Sequence, residues 1–392
     1  MAKPKFGNVF YIGMLSFFGG ISQDIFVPIL PLYLANVLGM DKALIGASEG
    51  LVTSGASLFK IAAGFLVDRF GQKKPLIFLG YFLSMVARPL LALTVASPAI
   101  LGLRFVDGVG KGMKDSPKDA LIAESSEART RGKSFGIARA LDTLGSVVGP
   151  LVLFGLLYLL RDVEAKYRII LYATALPLVA TLAILVFKVR ETRTYAKPDK
   201  KLAVALPKRF YLFLAIVLLF SLGNSSDAFL ILRAQNLGVT LLAIPLVFAL
   251  FNFVYAVASV PLGSLSDRIG REKVILLGWF AYALSYLGFA LADATYQIWL
   301  LYAFYGLYYA TSEGVAKALV ADMVSAERRG RAYGIYNMSL GLISLPASIA
   351  AGWLWDKISP AAPFYFGAAL ALGASVLLAI FLRLAPKTAA KT

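Results

Sequence analysis

Charged side chains follow one face of an otherwise apolar segment, residues 99–123, in this chain of 392 residues. At about 100° per residue on a helix, seven of them share an arc of about 140°: Arg104, Asp107, Lys111, Lys114, Asp115, Lys118 and Asp119. An isolated charge is unfavourable in an apolar medium. We therefore expect this face either to line a wet cavity that binds a charged ligand, or to form ion pairs. The local form of the second alternative is a ladder of i,i+4 pairs through Asp107, Lys111, Asp115 and Asp119.

Tyrosines and one acid mark a second segment, residues 297–321. On the same helical arithmetic four side chains share an arc of about 80°: Tyr302, Tyr305, Tyr309 and Glu313. Hydroxyl groups beside a carboxylate suit the binding of a small polar molecule. The alternative is that these tyrosines pack against neighbouring helices or lie at a membrane interface.

Further ionisable residues lie inside other apolar segments. The basic ones are Lys60, Arg88, Arg139 and Lys317, and the acidic ones are Asp24, Glu49, Asp142 and Asp227. The chain has no His and no Cys. Any group that carries a proton must therefore be a carboxylate or a lysine. Disulfides and imidazole or thiolate metal sites are excluded, and we predict no cofactor and no metal.

The composition explains what positions these residues. Hydrophobic residues make up 59% of the chain and charged residues only 16%, against about 45–50% and 25% in soluble proteins. Twelve apolar blocks are long enough to cross a bilayer, which takes about 20 helical residues. They cover residues 9–34, 43–67, 75–96, 99–123, 134–160, 168–187, 210–232, 241–266, 274–292, 297–321, 332–356 and 364–383. The predicted fold class is an all-α membrane protein, because only helices satisfy their backbone internally within lipid.

The distribution of Lys and Arg predicts the orientation. One set of loops, together with both termini, carries 25 of them, and the other set carries 6. Positive charge accumulates on the cytoplasmic side. We therefore predict a multi-pass protein of the cell (inner) membrane with both termini in the cytoplasm. The net charge of +17 lies mainly in these loops, so it does not indicate a nucleic-acid partner.

The chain repeats itself at about half its length. The motif from Gly64 through Asp68-Arg69 recurs from Gly263 through Asp267-Arg268. Asp24-Ile-Phe has a counterpart at residues 227–229. Two further matches, of residues 120–124 with 318–322 and of residues 131–136 with 329–334, follow in the same order in both halves. We predict two parallel six-helix bundles, residues 1–187 and 210–392, joined by a cytoplasmic linker at 188–209. A binding site is expected near the membrane midplane between such repeats.

Three motifs resemble those of the major facilitator superfamily. The loop GFLVDRFGQKK, residues 64–74, is similar to the signature between spans 2 and 3. Residues 104–110 (RFVDGVG) resemble an R-x-x-Q-G-x-G element, with Asp107 in place of glutamine. Residues 145–150 (GSVVGP) are similar to an element of proton-coupled exporters.

The resemblance implies a secondary transporter that works by alternating access, in proton-coupled export of small organic or amphipathic compounds. It implies a protonatable acid in the first span, so we predict proton coupling by Asp24, Asp107 and Asp142. The predicted substrate-binding residues are Arg88, Arg104, Lys111, Lys114, Asp115, Tyr305, Tyr309 and Glu313. The predicted gating residues are Gly64, Asp68, Arg69, Gly263, Asp267 and Arg268. The expected partners are the lipid bilayer, a small-molecule substrate and protons, and we expect a monomer.

Other functions remain open at this point. Arg88, Arg104, Lys111 and Lys114 could bind carboxylate or phosphate in a transporter of organic anions. A charged half that faces an apolar half would also suit a flippase of an amphiphilic lipid. An integral-membrane enzyme is disfavoured, because the sequence has no nucleophile–base arrangement and no nucleotide-binding loop.

Overall fold

The computed structural model describes residues 6–126, 131–192, 206–325 and 328–384. Across these ranges the secondary structure consists of fourteen α-helices. They are α1 (Phe6–Asn36), α2 (Lys42–Phe70), α3 (Lys74–Leu91), α4 (Ser97–Glu124), α5 (Arg131–Leu159), α6 (Lys166–Ala173), α7 (Ala175–Phe187), α8 (Lys208–Gly223), α9 (Ala228–Asn236), α10 (Ile244–Ile269), α11 (Arg271–Leu291), α12 (Thr295–Met323), α13 (Arg329–Lys357) and α14 (Ala362–Leu384).

These helices form twelve membrane spans. Within the described ranges, ten spans are long and apolar enough to cross a bilayer by those two criteria. Two of them are broken helices: α6 and α7 meet at Thr174, and α8 and α9 are separated by residues 224–227. The two other spans, α4 and α12, have 28 and 29 residues, and their sequences are charged or rich in tyrosine. The predicted all-helical fold with twelve spans is therefore confirmed.

Polar contacts within each half bring the ends of its helices together. In the first half, Asn8 bonds to Ser125 and to the Arg190 carbonyl, so the start of α1 and the ends of α4 and α7 lie together. In the second half, Arg209 pairs with Glu272 and Arg271 pairs with Asp322. We refer to the end of the molecule that contains these residues as the terminal end.

The two halves pack together at the end opposite to the terminal end. There α2 runs against α13, and the amide of Ala43 donates to the Asp356 carboxylate at 3.0 Å. A Cβ atom on Gly46 or Gly352 would collide with the backbone of the facing helix, so only glycine permits this approach. Nearer the middle, the Ser54 hydroxyl donates to the Gly341 carbonyl at 2.7 Å.

The terminal end is less closely packed around three glycines. A Cβ atom on Gly136, Gly263 or Gly334 would have no atom within 4 Å. In the middle of the bundle α5 still touches α10, because the Asn252 amide donates to the Ser146 carbonyl at 3.2 Å. The two halves are thus closely packed at the opposite end, and the three glycines at the terminal end have open space beside them.

Candidate functional site

Four charged side chains form a buried network in the first half. Arg88 on α3 pairs with Asp107 on α4, with Nε and Oδ1 3.3 Å apart. Arg104, also on α4, contacts the second Asp107 oxygen at 3.4 Å. Arg104 also reaches across to Glu49 on α2, with Nη2 and Oε1 2.5 Å apart. Two guanidinium groups therefore neutralise two carboxylates, and Asp107 itself is completely buried.

The two other nitrogens of the Arg88 guanidinium also donate hydrogen bonds. Its Nη1 donates to the Ser22 hydroxyl at 2.7 Å and its Nη2 to the Gln23 amide oxygen at 2.6 Å, both on α1. The Phe26 ring lies under both guanidinium groups, 4.9 Å from that of Arg88 and 5.2 Å from that of Arg104. The network therefore joins α1, α2, α3 and α4, and it leaves Arg88 little capacity to bind a substrate anion.

The rest of the charged stripe on α4 is less buried. Lys111, Lys114 and Asp115 are half-buried, and the Lys114 ammonium lies 4.5 Å from the centre of the Tyr81 ring. Among the described residues, Lys111 has no carboxylate within 4 Å. Asp107 pairs with Arg88 and Arg104, so the alternative of an i,i+4 ladder that starts at Asp107 is not the observed arrangement.

Asp24 lies in the middle of α1 and is 9% exposed. Its Cβ packs against Gly149 of α5, where a larger residue would not fit. Its carboxyl group lies near the Ser146 side chain of α5. Arg88 and Arg104 lie on neighbouring helices but pair with Asp107 and Glu49, and not with Asp24.

Asp142 differs from Asp24 in being partly exposed. It pairs at 3.3 Å with Arg139, one turn earlier on α5. Arg139 also donates to the Tyr255 hydroxyl on α10 at 3.1 Å, which is a contact between the two halves. The three predicted proton-coupling acids therefore lie in three different environments.

The second half contains its own acid at the break between α8 and α9. Asp227 immediately precedes α9, and its two carboxylate oxygens accept one tyrosine hydroxyl each, from Tyr305 at 2.9 Å and Tyr309 at 3.0 Å. Tyr305 and Tyr309 are one turn apart on α12, as the tyrosine face predicts. The side chain of Glu313, the fourth member of that face, lies outside the described part of the structure.

A cavity of about 350 Å³ lies between the halves. Glu49 and Thr53 line it from the first half, and Asn224, Asp227 and Tyr309 line it from the second. A recess of about 200 Å³ adjoins it and shares Ser221, Asn224, Tyr309 and Leu340 with it. One carboxylate from each half therefore faces the same space between the halves, where parallel repeats are expected to bind a substrate.

The predicted gating residues lie at the terminal ends of α2 and α10. Arg69 and Arg268 are exposed. A Cβ atom on Gly64 would be in ordinary van der Waals contact with the Ser116 hydroxyl, and a Cβ atom on Gly263 would have open space around it. The close approach of α2 and α4 depends instead on Gly108 and Gly112. The side chains of Asp68 and Asp267 lie outside the described part of the structure.

Glu49 and Asp227 are cavity residues that the sequence did not single out as site residues. The repeat contained a signal for Asp227, since it corresponds to Asp24 of the first half. Glu49 had no such signal, because its position depends on the rotation of α2 toward the cavity. The described residues contain no group of three or more acids that could hold a metal ion.

Comparison with known proteins places this architecture in a family. The family model of the Major Facilitator Superfamily matches residues 12–232 and again residues 211–392. The chain belongs to this superfamily. The resemblance carried by the three sequence motifs is confirmed, and the double match agrees with the two-bundle fold.

Two relatives match most of the length of the chain. An uncharacterised MFS-type transporter of Methanocaldococcus jannaschii is 35% identical, over 95% of this chain and 94% of its own length. The multidrug resistance protein MdtH of Proteus mirabilis is 24% identical, over 84% of this chain and 82% of its own length.

Solved structures share the fold at low sequence identity. The nucleoside transporter NupG superposes with a TM-score of 0.76 at 15% identity, over 96% of this chain and 98% of its own. A bacterial homologue of the human lysosomal transporter Spinster gives a TM-score of 0.73 at 15% identity, over 98% of this chain and 96% of its own. At this identity the likeness concerns the fold.

Proposed function

We propose that this protein exports small organic or amphipathic compounds by alternating access, in exchange for protons. The observation that carries the proposal is the cavity between the halves, which receives Glu49 from one half and Asp227 from the other. Among the described residues, Asp227 is bonded by tyrosine hydroxyls and by no Lys or Arg, so the cavity suits compounds with positive charge. The similarity to the multidrug resistance protein MdtH supports export of organic compounds.

Asp24 is the acid of the first half best suited to proton coupling. It is buried beside Gly149 and forms no ion pair with any described residue, so it can change its protonation state without breaking one. Asp142 is more accessible and is paired with Arg139. Asp107 is held by two guanidinium groups, so in this conformation it must lose these pairs before it can accept a proton.

In this proposal the substrate contacts come from both bundles. Tyr305, Tyr309 and Glu313 belong to the second half, and Lys111, Lys114 and Asp115 belong to the half-buried stripe on α4. Arg88 and Arg104 contribute by fixing the acids of the network. The gate is formed by Gly64, Asp68, Arg69, Gly263, Asp267 and Arg268 at the terminal end.

The orientation and the assembly are part of the same proposal. With the positively charged loops in the cytoplasm, the terminal end is the cytoplasmic end of a monomer in the cell (inner) membrane. The structure then corresponds to the inward-open state. Export requires that this state accept substrate from the cytoplasm and that the opposite end open afterwards.

Flux into proteoliposomes tests the proposal. Purified protein is reconstituted into vesicles with an acidic interior, and uptake of benzyltrimethylammonium, a neutral aromatic amide and benzenesulfonate is measured. Quaternary ammonium ions are suited to this test because they do not accumulate by protonation. We expect protein-dependent uptake of the cation that stops when nigericin collapses the pH gradient.

Other outcomes separate the alternatives. Uptake that is unchanged by nigericin contradicts proton coupling. Uptake of benzenesulfonate alone favours the anion transporter. Movement of a fluorescent phospholipid between leaflets, measured by dithionite quenching, without uptake of any of the three compounds, favours the flippase.

A further inference from the structure

Among the described residues, only hydroxyl groups donate hydrogen bonds to the carboxyl group of Asp227. Both of its oxygens accept from tyrosines, Tyr305 and Tyr309, at 2.9 and 3.0 Å. Within the described part of the chain, no Lys or Arg nitrogen lies within 4 Å of it. Its partner acid across the cavity, Glu49, is already neutralised by Arg104. The negative charge of Asp227 therefore has to be compensated by a proton or by a cation that comes from outside the protein.

The groups around Asp227 supply no such charge. From α2 it faces Glu49, and from α12 it faces Tyr305 and Tyr309. Behind them lie two tyrosines of α11, Tyr282 and Tyr286. Their rings stack with centres 4.1 Å apart, and their hydroxyl groups carry no positive charge. The residues of α1 and α13 that line the cavity, Val27, Leu340, Ile343 and Ser344, carry no charge.

The recess beside the cavity has aromatic walls. Phe220 and Trp279 stack with ring centres 4.6 Å apart, and Tyr308 lies on the same side, 5.8 Å from Phe220. Lys317 lines the recess as well. The Ser312 hydroxyl also lines it; this side chain is 9% exposed and has no hydrogen-bond partner among the described residues. A buried hydroxyl without a protein partner is available to bond with a water molecule or with a polar group of a ligand.

We propose that Asp227 is the exchange site of the transporter, where one proton and one organic cation compete for the same carboxylate. The cation has an apolar or aromatic body, which lies in the recess against Phe220 and Trp279. When the cation binds, its positive charge pairs with the carboxylate and the proton of Asp227 leaves to the solvent. The exchange is therefore balanced in charge, with one cation bound for one proton released.

This inference rests on the proposed function, since it takes the cavity as the site of transport. It adds the acid at which exchange occurs and the class of cation. It also gives the break between α8 and α9 a role, because the interruption places Asp227 at the start of α9 and within reach of α12. Asp24 remains the acid that couples protonation to the movement of the halves.

Calorimetry on the purified full-length protein tests the exchange. Benzyltrimethylammonium is titrated at a series of pH values in buffers with different ionisation enthalpies, which reports the protons released per cation bound. We expect release approaching one proton at low pH, and an apparent affinity that rises by about tenfold per pH unit over that range. Tetramethylammonium, which has the charge without the ring, is expected to bind more weakly.

Variants identify the group that releases the proton. Asp227→Asn keeps the shape of the side chain, and we expect it to weaken cation binding by at least about tenfold and to remove the linked proton release. Tyr309→Phe is a milder change at the same site and is expected to weaken binding while proton release persists. Asp162→Asn is the matched control in an exposed loop, 87% exposed, and should behave like the unmodified protein. Elution on size exclusion and helical circular dichroism check folding.

The inference is overturned if the unmodified protein does not bind benzyltrimethylammonium. It is also overturned if Asp227→Asn binds the cation with unchanged affinity, or if proton release is lost in Asp24→Asn and kept in Asp227→Asn. Flux separates this failure from that of the proposed function. Proton-driven uptake that survives in Asp227→Asn rejects the exchange site alone, whereas linked proton release without any driven uptake rejects the proposed function alone.

Discussion

The Nε atom of Arg88 lies 3.3 Å from Oδ1 of Asp107, and neither side chain is exposed by more than 1%. This ion pair joins α3 to α4 inside the first bundle, and Arg104 extends it to Glu49 on α2. A charge removed from such a network leaves its partners buried without compensation.

Substitution of Asp107 should therefore destabilise the fold. We expect Asp107→Asn to lower the free energy of unfolding by about 3–5 kcal/mol, because Arg88 loses its carboxylate and Arg104 keeps only Glu49. Thermal unfolding in detergent measures the loss. Asp162→Asn is the control, since the Arg161–Asp162 pair is 66% and 87% exposed and such pairs contribute little. Equal melting temperatures for the two variants would contradict the structural role of the network.

A second stability prediction concerns Arg233, which is 7% exposed. It donates to the carbonyls of Phe289 at 3.0 Å and Ala292 at 2.9 Å, and so satisfies the last turn of α11. Arg233→Met leaves these carbonyls without donors, and we expect a loss of about 2–3 kcal/mol. The same melting experiment measures it, with Arg161→Met at an exposed position as control. If the two methionine variants have the same melting temperature, Arg233 is not needed to hold α9 against α11.

The coupling role of Asp24 predicts a separation between transport and binding. Asp24→Asn removes the titratable group with little change of shape. We expect it to abolish the concentration of benzyltrimethylammonium in acid-interior vesicles, while binding of this cation stays measurable by calorimetry. Asp162→Asn should keep both properties. A variant that still concentrates the cation would assign the coupling to another acid.

The gate predicts a shift between conformations. Asp68→Asn or Asp267→Asn should weaken the closed state of the terminal end, and a loss of a few kcal/mol moves a balanced two-state equilibrium tenfold or more. The chain has no Cys, so Gly136→Cys and Gly334→Cys can carry spin labels without further changes. We expect longer distances between these labels in the gate variants.

A label pair at the opposite end is the control for the gate. Val37→Cys and Ile358→Cys are suitable because both positions are exposed. Their distance distribution should move toward the closed arrangement as the terminal end opens. Gate variants in which neither pair changes would indicate that the acids only mark the topology of the loops.

The glycines between α2 and α13 predict the reverse shift. In Gly46→Ala the new methyl group collides with the backbone of Ser348, and overpacking of this kind costs about 1–3 kcal/mol. We expect the distance between labels at positions 37 and 358 to lengthen. Gly373→Ala on α14, where a Cβ has no neighbour within 4 Å, should leave it unchanged. An unchanged distance in Gly46→Ala would mean that the two helices need no close contact there.

Much of the architecture is determined by the sequence alone. The length of the apolar blocks fixes the spans, because a helix must cover the hydrocarbon without unsatisfied backbone groups. The recurrence of the Gly64–Asp68 motif at Gly263–Asp267 identifies the two bundles. The spacing of Tyr305 and Tyr309 places their hydroxyl groups on one face, since residues four apart are neighbours on a helix.

The partners of several buried charged residues are decided only by the tertiary structure. The spacing along α4 would allow Lys111 to pair with Asp107, yet Asp107 pairs with Arg88 on α3. Asp227 bonds to tyrosines 78 and 82 residues away. Such pairs depend on the rotation and register of one helix against another. Rotation and register are set by packing between helices, for example where Gly108 and Gly112 allow α4 to pack against α2. The periodicity within a single helix does not contain that information.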